Sequence, residues 1–272
     1  MIRRRYFPPM DSVEAEQRIR DVLARHGPVL VAFSGGVDSA LLGAIARDMC
    51  GDRFRCVLLD SPLVSRSEIA AAKKTARDLN LALEVLHVPL IESVTKNFPD
   101  RCAHCKTNAA RVLNQRAHEF GCTCVADGSN LSDTQEHRPG LAASTQAGIV
   151  HPFIEAGLTK QDIRALAEAR GYAFWDKPSA ACLASRIPYG NVITEENLAM
   201  VERAEAFLAK QGFAQCRVRI HKNIARIEVL KEDMQILLQY RDAVVAELTA
   251  IGFAYVTLDL AGYRSGSMDE VL

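Results

Sequence analysis

Three groups of residues in this chain have types and spacings that can do chemistry. The first is Phe33-Ser34-Gly35-Gly36-Val37-Asp38-Ser39. Glycines lack Cβ atoms, so such a loop can turn tightly and approach an anion closely. The hydroxyls of Ser34 and Ser39, with the N–H groups of a helix start, can cradle phosphate. Asp38 can hold a magnesium ion that bridges phosphates. No Gly-Lys-Ser/Thr follows, so the loop is not of the Walker type. The second group is cysteine. Cys182 lies among Ala180, Ala181, Leu183 and Ala184, small neighbours that leave a thiol open to a bulky electrophile. Lys177 and Arg186 are close in sequence and can favour its thiolate. Cys102-Ala-His-Cys105 has a spacing at which two thiolates share one metal. No second Cys-x-x-Cys pair exists, so a closed zinc site would need distant ligands. With Cys182 folded near, three thiolates could hold a four-iron, four-sulfur cluster with one iron open. A redox or persulfide pair, and inert cysteines at a helix start, are the other readings of Cys102 and Cys105. His104 reads as solvated. The third group is Arg217-Val-Arg219. These arginines share one face of a strand, and guanidinium groups recognise phosphate bidentately. An exposed hairpin face with charge pairs is the bland alternative.

The elements that must position these groups follow from periodicity. Pro28 to Phe33 is a continuous apolar run, the pattern of a buried parallel strand. Further strands are expected at Cys56–Asp60, Leu83–Val88 and Cys122–Ala126, with helices at Val13–Arg25, Asp38–Cys50, Glu68–Leu79 and Cys105–Phe120. Alternation of this kind implies an α/β fold, a parallel sheet with helices on both faces. Ligands of such sheets bind at the carboxyl ends of strands. That places Asp60 and Ser61, with Asp127 and Gly128, at the bound ligand. Thr159 is the expected N-cap of a helix to Arg170. The pattern then changes. Phe174 to Gly190 is a Pro-rich connector, followed by a helix at Glu195–Gln211. A hairpin is expected at Cys216–Ile220 and Ala225–Val229. One long helix at Glu232–Ile251 and a strand at Tyr255–Leu260 complete a smaller α+β unit. The expected division is 1–155 for the loop-bearing domain, 156–191 for the connector carrying Cys182, and 192–272 for the smaller domain.

Composition narrows the class. The 272 residues hold 33 Lys and Arg against 33 Asp and Glu, a formal net charge of zero. A large nonspecific nucleic-acid footprint is not expected from that balance. No apolar run approaches the roughly 18 residues of a membrane span. The basic N-terminus (Arg3, Arg4, Arg5) lacks the apolar core of a signal peptide. A cytoplasmic protein is expected. Eight cysteines in so long a chain are too few for a disulfide scaffold. Cys50, Cys56, Cys122, Cys124 and Cys216 read as packing residues.

Ser34-Gly-Gly-Val-Asp-Ser39 resembles the pyrophosphate (PP) loop of ATP pyrophosphatases, which cleave ATP between its α- and β-phosphates and adenylate a substrate oxygen. Other stretches narrow the match: Pro99-Asp-Arg-Cys-Ala-His-Cys-Lys106, Arg138-Pro-Gly140, Glu155-Ala-Gly-Leu-Thr-Lys160, Trp175 to Gly190, and Gly262-Tyr-Arg-Ser-Gly-Ser267. With these the chain, from about Met10 onward, is similar to the LarE-type sulfurtransferases, which act on pyridinium-3,5-biscarboxylic acid mononucleotide. The resemblance implies ATP and Mg2+ as cofactors and adenylation of a ring carboxylate. It implies attack by Cys182 and loss of its sulfur to the product, which leaves dehydroalanine. The product serves the nickel-pincer cofactor of lactate racemase. In some relatives a 4Fe-4S cluster, here matched by Cys102, Cys105 and Cys182, delivers sulfide instead. The resemblance also assigns Arg217 and Arg219 to substrate phosphate, and Glu205 and Glu228 to the active site as magnesium ligands. It places Arg264 and Ser265 at the site or at an oligomer contact, and implies a homo-oligomer, hexameric in the family. Rival readings are a tRNA thiolase, which would need an RNA platform, and an amide-forming ligase, which would need an ammonia source. A nucleotide-sensing module leaves the stretch from Ser179 to Arg186 unexplained.

Overall fold

The computed structural model describes residues 10–135, 139–179 and 181–264. It divides into two compact units. The first gathers the described residues of Met1–Asp60, Arg66–Val88 and Cys102–Ala180; the second gathers those of Ser61–Ser65, Pro89–Arg101 and Ala181–Leu272.

The first unit is built on a parallel sheet of four strands, β1 (Val29–Phe33), β2 (Arg55–Asp60), β3 (Leu83–His87) and β4 (Cys124–Ala126), in the order β3-β2-β1-β4. Its helices are α1 (Ser12–His26), α2 (Val37–Cys50), α3 (Arg66–Asp78), α4 (Arg101–Glu119) and α5 (Lys160–Ala169). The apolar run in β1 is explained by burial on both faces. Leu30 and Val57 face α4, where they pack with Ala110, Leu113, Ala117 and Val125. On the opposite face Gly43 of α2 packs over Cys56, with room for a Cβ only 3.4 Å from its Sγ. Burying each large aliphatic side chain contributes about 1.5–3 kcal/mol, so β1 and its two flanking helices form a rigid base. Strand order reverses direction at β1, with β2 on one side and β4 on the other. The crevice above the carboxyl ends of β1 and β4 is therefore the topological switch point, where ligands of open α/β sheets bind.

Two helix starts differ from expectation in ways that matter. Helix α4 begins at Arg101 rather than Cys105, so Cys102 and Cys105 both lie in its first turns. Helix α5 begins after Thr159 as expected. Thr159 and Asp162 form a reciprocal capping box there, which fixes the first residue, Lys160.

The second unit holds β5 (Cys216–His221), β6 (Ile224–Val229) and β7 (Tyr255–Leu258). Strands β5 and β6 form an antiparallel hairpin, and β7 adds in parallel to β6. Helices α6 (Glu195–Lys210) and α7 (Arg241–Ile251) belong to this unit. The single long helix expected from Glu232 to Ile251 is broken. A 3-10 turn at Lys231–Asp233 leads into a helix at Met234–Gln239, and α7 starts after Tyr240. Tyr240 has φ −91° and ψ 6°, and its ring meets Phe213 edge-on with centroids 6.1 Å apart. No helix among the described residues is long and apolar enough to cross a membrane.

Candidate active site

The first unit places the Ser34–Ser39 loop between β1 and α2. Gly35 has φ +73°, and a Cβ there would lie 2.4 Å from the Ala72 Cα. Only glycine fits so close to α3. Gly36 is different. It has ordinary φ −77°, and a Cβ there would meet only Ser34 Oγ, at 3.5 Å. The protein's own packing and backbone do not require a glycine at this position. The two serines shape the turn: Ser39 Oγ accepts from Ser34 N–H at 3.1 Å and lies 3.0 Å from Ser34 Oγ. Helix α2 starts without a side-chain cap. Its first N–H groups and the positive end of its dipole are thus available to an anion.

Asp38, one residue into α2, is held by Lys160 at 2.6 and 2.7 Å from its two oxygens. Burial raises the Asp38 carboxyl above its ordinary range, and the Lys160 ammonium opposes the rise. A carboxylate, an ammonium group and an uncapped helix start thus surround one loop. These groups fit a magnesium–polyphosphate. The pairing of Lys160 with Asp38 spans 122 residues and has no local signal in the sequence.

The neighbouring strand ends carry the other nucleotide candidates of this unit. Asp60 ends β2 and is ion-paired with Arg66. Asp127 follows β4; its Oδ1 lies 2.7 Å from His151 Nδ1 and accepts from Ser129 N–H at 2.9 Å. Burial alone would raise the Asp127 carboxyl, but the His151 contact and the Ser129 bond outweigh it and the pKa falls. Asp127 therefore braces the loop that follows β4. Gly128 packs on the start of α2, where a Cβ would sit 2.9 Å from both Asp38 Cβ and Ser39 N. His151, buried and 2.9 Å from Thr145 Oγ1 on its other nitrogen, is a brace that sequence inspection misses. Lys177, expected near Cys182, instead contacts Glu68 at 3.0 Å and Gly35 O at 3.4 Å.

Cys102 is exposed and Cys105 half-buried. Their i, i+3 spacing puts them on one face of α4. His104 is exposed. Among the described residues no group of three or more His, Cys, Asp or Glu is arranged to hold a metal ion.

The second unit places Ser61 in a tight turn, its carbonyl accepting from Val64 N–H at 3.0 Å. It also carries the exposed Cys182 at the head of a 3-10 turn, Leu183–Arg186. Three buried arginines hold this turn. Arg186 donates to the carbonyls of Ala181 and Cys182, each at 3.0 Å. Arg101 donates to Ala184 O at 3.1 Å, and Arg219 to Ser185 O at 2.7 Å. Arg186 is itself fixed by Glu205, with Nε and Nη2 each 2.9 Å from a carboxylate oxygen. Arg186 thus grips the Cys182 backbone, where the sequence suggested an effect on the thiol. Four other thiols are quenched by their surroundings. Burial pushes Cys216 up to about 12 and raises Cys56, Cys122 and Cys124.

The expected magnesium carboxylates have other partners. Glu205 accepts both Arg186 bonds and Val218 N–H at 3.0 Å. Glu228, 1% exposed, is ion-paired with Arg219 and with Arg226. Guanidinium groups engage both carboxylates, as Lys160 engages Asp38. Arg217 and Arg219 do share a face of β5, but Arg219 is buried in its ion pair. Arg217 lies over the Tyr263 ring, 5.2 Å from its centroid, and is the more accessible of the two. Arg264 is exposed; Ser265 and Arg138 lie outside the described residues.

Comparison with known proteins places these features in context. Residues 13–119 match the NAD synthase family model. An uncharacterized protein of Synechocystis is 36% identical, over 94% of this chain and 97% of its own. The pyridinium-3,5-bisthiocarboxylic acid mononucleotide synthase of Lactiplantibacillus plantarum is 37% identical, over 90% of each chain. An uncharacterized protein of Methanocaldococcus jannaschii is 30% identical, over 87% of this chain and 91% of its own.

Proposed function

Because the chain belongs to the pyridinium-3,5-bisthiocarboxylic acid mononucleotide synthase family, an ATP-using sulfur transferase group with the PP-loop fold, we propose that it converts a carboxylate of pyridinium-3,5-biscarboxylic acid mononucleotide to a thiocarboxylate. Such a product suits biosynthesis of the nickel-pincer cofactor of lactate racemase. The observation that carries this is Cys182, an exposed thiol on a turn immobilised by three buried arginines.

The loop from Ser34 to Ser39 and the start of α2 bind the phosphates of ATP, with Lys160 as a counter-charge. Asp38 would hold Mg2+, which neutralises phosphate charge when bound. Asp60 and Ser61 follow β2 and suit adenosine; Asp127 and Gly128 keep the loop above β4 in shape. A ring carboxylate attacks the α-phosphate, and pyrophosphate leaves. The acyl-adenylate then carries AMP, a better leaving group than oxide. Cys182 thiolate displaces AMP and forms a thioester. Cleavage of the Cys182 Cβ–S bond releases the thiocarboxylate and leaves dehydroalanine. Arg217, over Tyr263, suits the substrate phosphate, and Arg219 supports it from within the sheet.

The four-iron route needs Cys102, Cys105 and Cys182 together. Cys102 and Cys105 share one face of α4 and would supply two of its three thiolates. Anaerobic reconstitution followed by iron and labile-sulfide analysis tests that route: stoichiometric iron lost in Cys102→Ser would favour it. Self-association is also proposed. Exposed Ile236, Leu238, Tyr240, Val245, Tyr255 and Leu260 supply the apolar surface that an interface between copies buries. A cytoplasmic location suits a small-molecule nucleotide substrate.

The test of the function is one turnover with substrate and ATP-magnesium. AMP, pyrophosphate and thiocarboxylate should form in equal amounts. ATP cleavage with no sulfur in the product would refute it.

A further inference from the structure

The Cys182 carbonyl oxygen accepts three hydrogen bonds. Ser185 N–H donates at 3.1 Å, Ser185 Oγ–H at 2.8 Å and the Arg186 Nη1 at 3.0 Å. A 3-10 turn needs only the first of these. A neutral backbone carbonyl offers two lone pairs, so three donors, one of them a cationic Nη1 shared with Ala181 O and Ser185 Oγ, are more than it needs. They suit an oxygen that carries a full negative charge. Arg186 is 3% exposed and locked in place by Glu205. Its charge is therefore set before reaction and needs no reorganisation, the property of an oxyanion site. The adjacent carbonyls of Ala184 and Ser185 are engaged by Arg101 and Arg219, which hold the turn in place.

We infer that Ser185 and Arg186 form an oxyanion site for the enolate of Cys182, and that this site drives release of the sulfur. The inference rests on the sacrificial route proposed above and assigns its hardest step. A solvent hydroxide at the exposed residue removes the Cys182 Cα proton and becomes water. The electron pair moves onto the Cys182 carbonyl oxygen, giving an enolate held by the three donors. The pair then returns to form the Cα=Cβ double bond. The Cβ–S bond breaks with its electrons on sulfur. The products are a thiocarboxylate anion and dehydroalanine, with no net oxidation or reduction. An ordinary amide Cα–H is a very weak acid, so stabilising the enolate is where the chain can contribute most.

The experiment is a rapid-quench single turnover with pyridinium-3,5-biscarboxylic acid mononucleotide and ATP-magnesium. AMP release reports thioester formation, and intact mass separates thioester-bearing protein from dehydroalanine. Ser185→Ala removes a half-buried hydroxyl that also accepts from Arg186 Nη1 at 2.8 Å; thermal unfolding of the variant checks that the fold is kept. It should slow dehydroalanine formation by about 100-fold, the usual loss for one oxyanion donor. AMP release should stay within about twofold of the wild type, so the thioester accumulates. Ser185→Thr keeps the hydroxyl and should restore most of the rate. Arg186→Lys should show the same split. Elimination at wild-type speed in Ser185→Ala and Arg186→Lys would overturn the inference, as would equal slowing of both steps. If the wild-type chain itself shows neither thioester nor mass loss, the sacrificial route fails and takes this inference with it. Mass loss in the wild type with unaffected variants would sink the oxyanion site alone.

Discussion

Gly35 and Gly36 are adjacent, yet the same alanine substitution should have opposite signatures. At Gly35 the new Cβ would overlap Ala72, 2.4 Å from its Cα and 2.5 Å from its Cβ, in a backbone with φ +73°. A left-handed conformation costs a residue with a Cβ about 1–2 kcal/mol. Overpacking against a helix backbone adds about 1–3 kcal/mol. The sum, roughly 2–5 kcal/mol, corresponds to a fall in Tm of roughly 5–15 °C for a domain of this size. At Gly36 the Cβ would have 3.5 Å to Ser34 Oγ and an ordinary φ of −77°. Loss of unfolded-state freedom should stabilise that variant by about 0.4–1 kcal/mol. Its cost falls instead on the phosphates that approach the loop. Thermal unfolding with and without ATP-magnesium separates the two effects. Gly35→Ala should melt early. Gly36→Ala should melt at or slightly above the wild-type temperature without ATP but lose most of the ATP-induced rise in Tm. A Gly36→Ala protein that keeps the full rise would refute the assignment of this space to a ligand. Equal destabilisation by both substitutions would refute the steric argument.

Three further outcomes are expected. Gly128→Ala should push on Asp38 and Ser39 and lower ATP affinity about tenfold or more, read by calorimetry, with a smaller change in Tm. Arg170 and Arg20 hold the Glu16 carboxyl down at about 2, from an ordinary 4.5. A depressed carboxylate stabilises above its unfolded pKa and loses that contribution as pH falls through the folded value. Glu16→Gln should therefore cost about 1–2 kcal/mol at pH 7, allowing for solvent screening, and flatten the stability profile between pH 4.5 and 2 in urea titrations. Glu205→Gln removes the partner of buried Arg186 and should destabilise by about 2–4 kcal/mol. Added magnesium should not rescue its sulfur transfer; rescue would return Glu205 to the metal.

Local signals in the sequence reach as far as local physics does. The apolar run into Ser34-Gly35-Gly36 is legible because a strand buried on both faces must be continuously apolar. The Thr159 cap is legible because its partner is three residues away. The hairpin face of Arg217 and Arg219 follows from strand alternation. Pairings across the chain leave no such mark: Lys160 with Asp38, His151 with Asp127, and Arg186 with Glu205 depend on packing of distant elements. The early start of α4 is not legible because its first residues, Arg101 to Lys106, mix charged and small side chains and give no apolar period. The break at Tyr240 interrupts a periodicity that would continue, and the ring there contacts Phe213 across 27 residues of sequence. Lys177 and Arg186 were associated with the Cys182 thiol by proximity in sequence. One contacts the phosphate loop and the other the Cys182 carbonyl.

The most direct measurement is the intact mass of the wild-type protein after one turnover, under anaerobic conditions, with pyridinium-3,5-biscarboxylic acid mononucleotide and ATP-magnesium. A loss of about 34 Da, hydrogen sulfide eliminated from an activated cysteine, should appear in step with thiocarboxylate and map to Cys182 by peptide sequencing. Thiocarboxylate formed by a protein of unchanged mass would contradict the account.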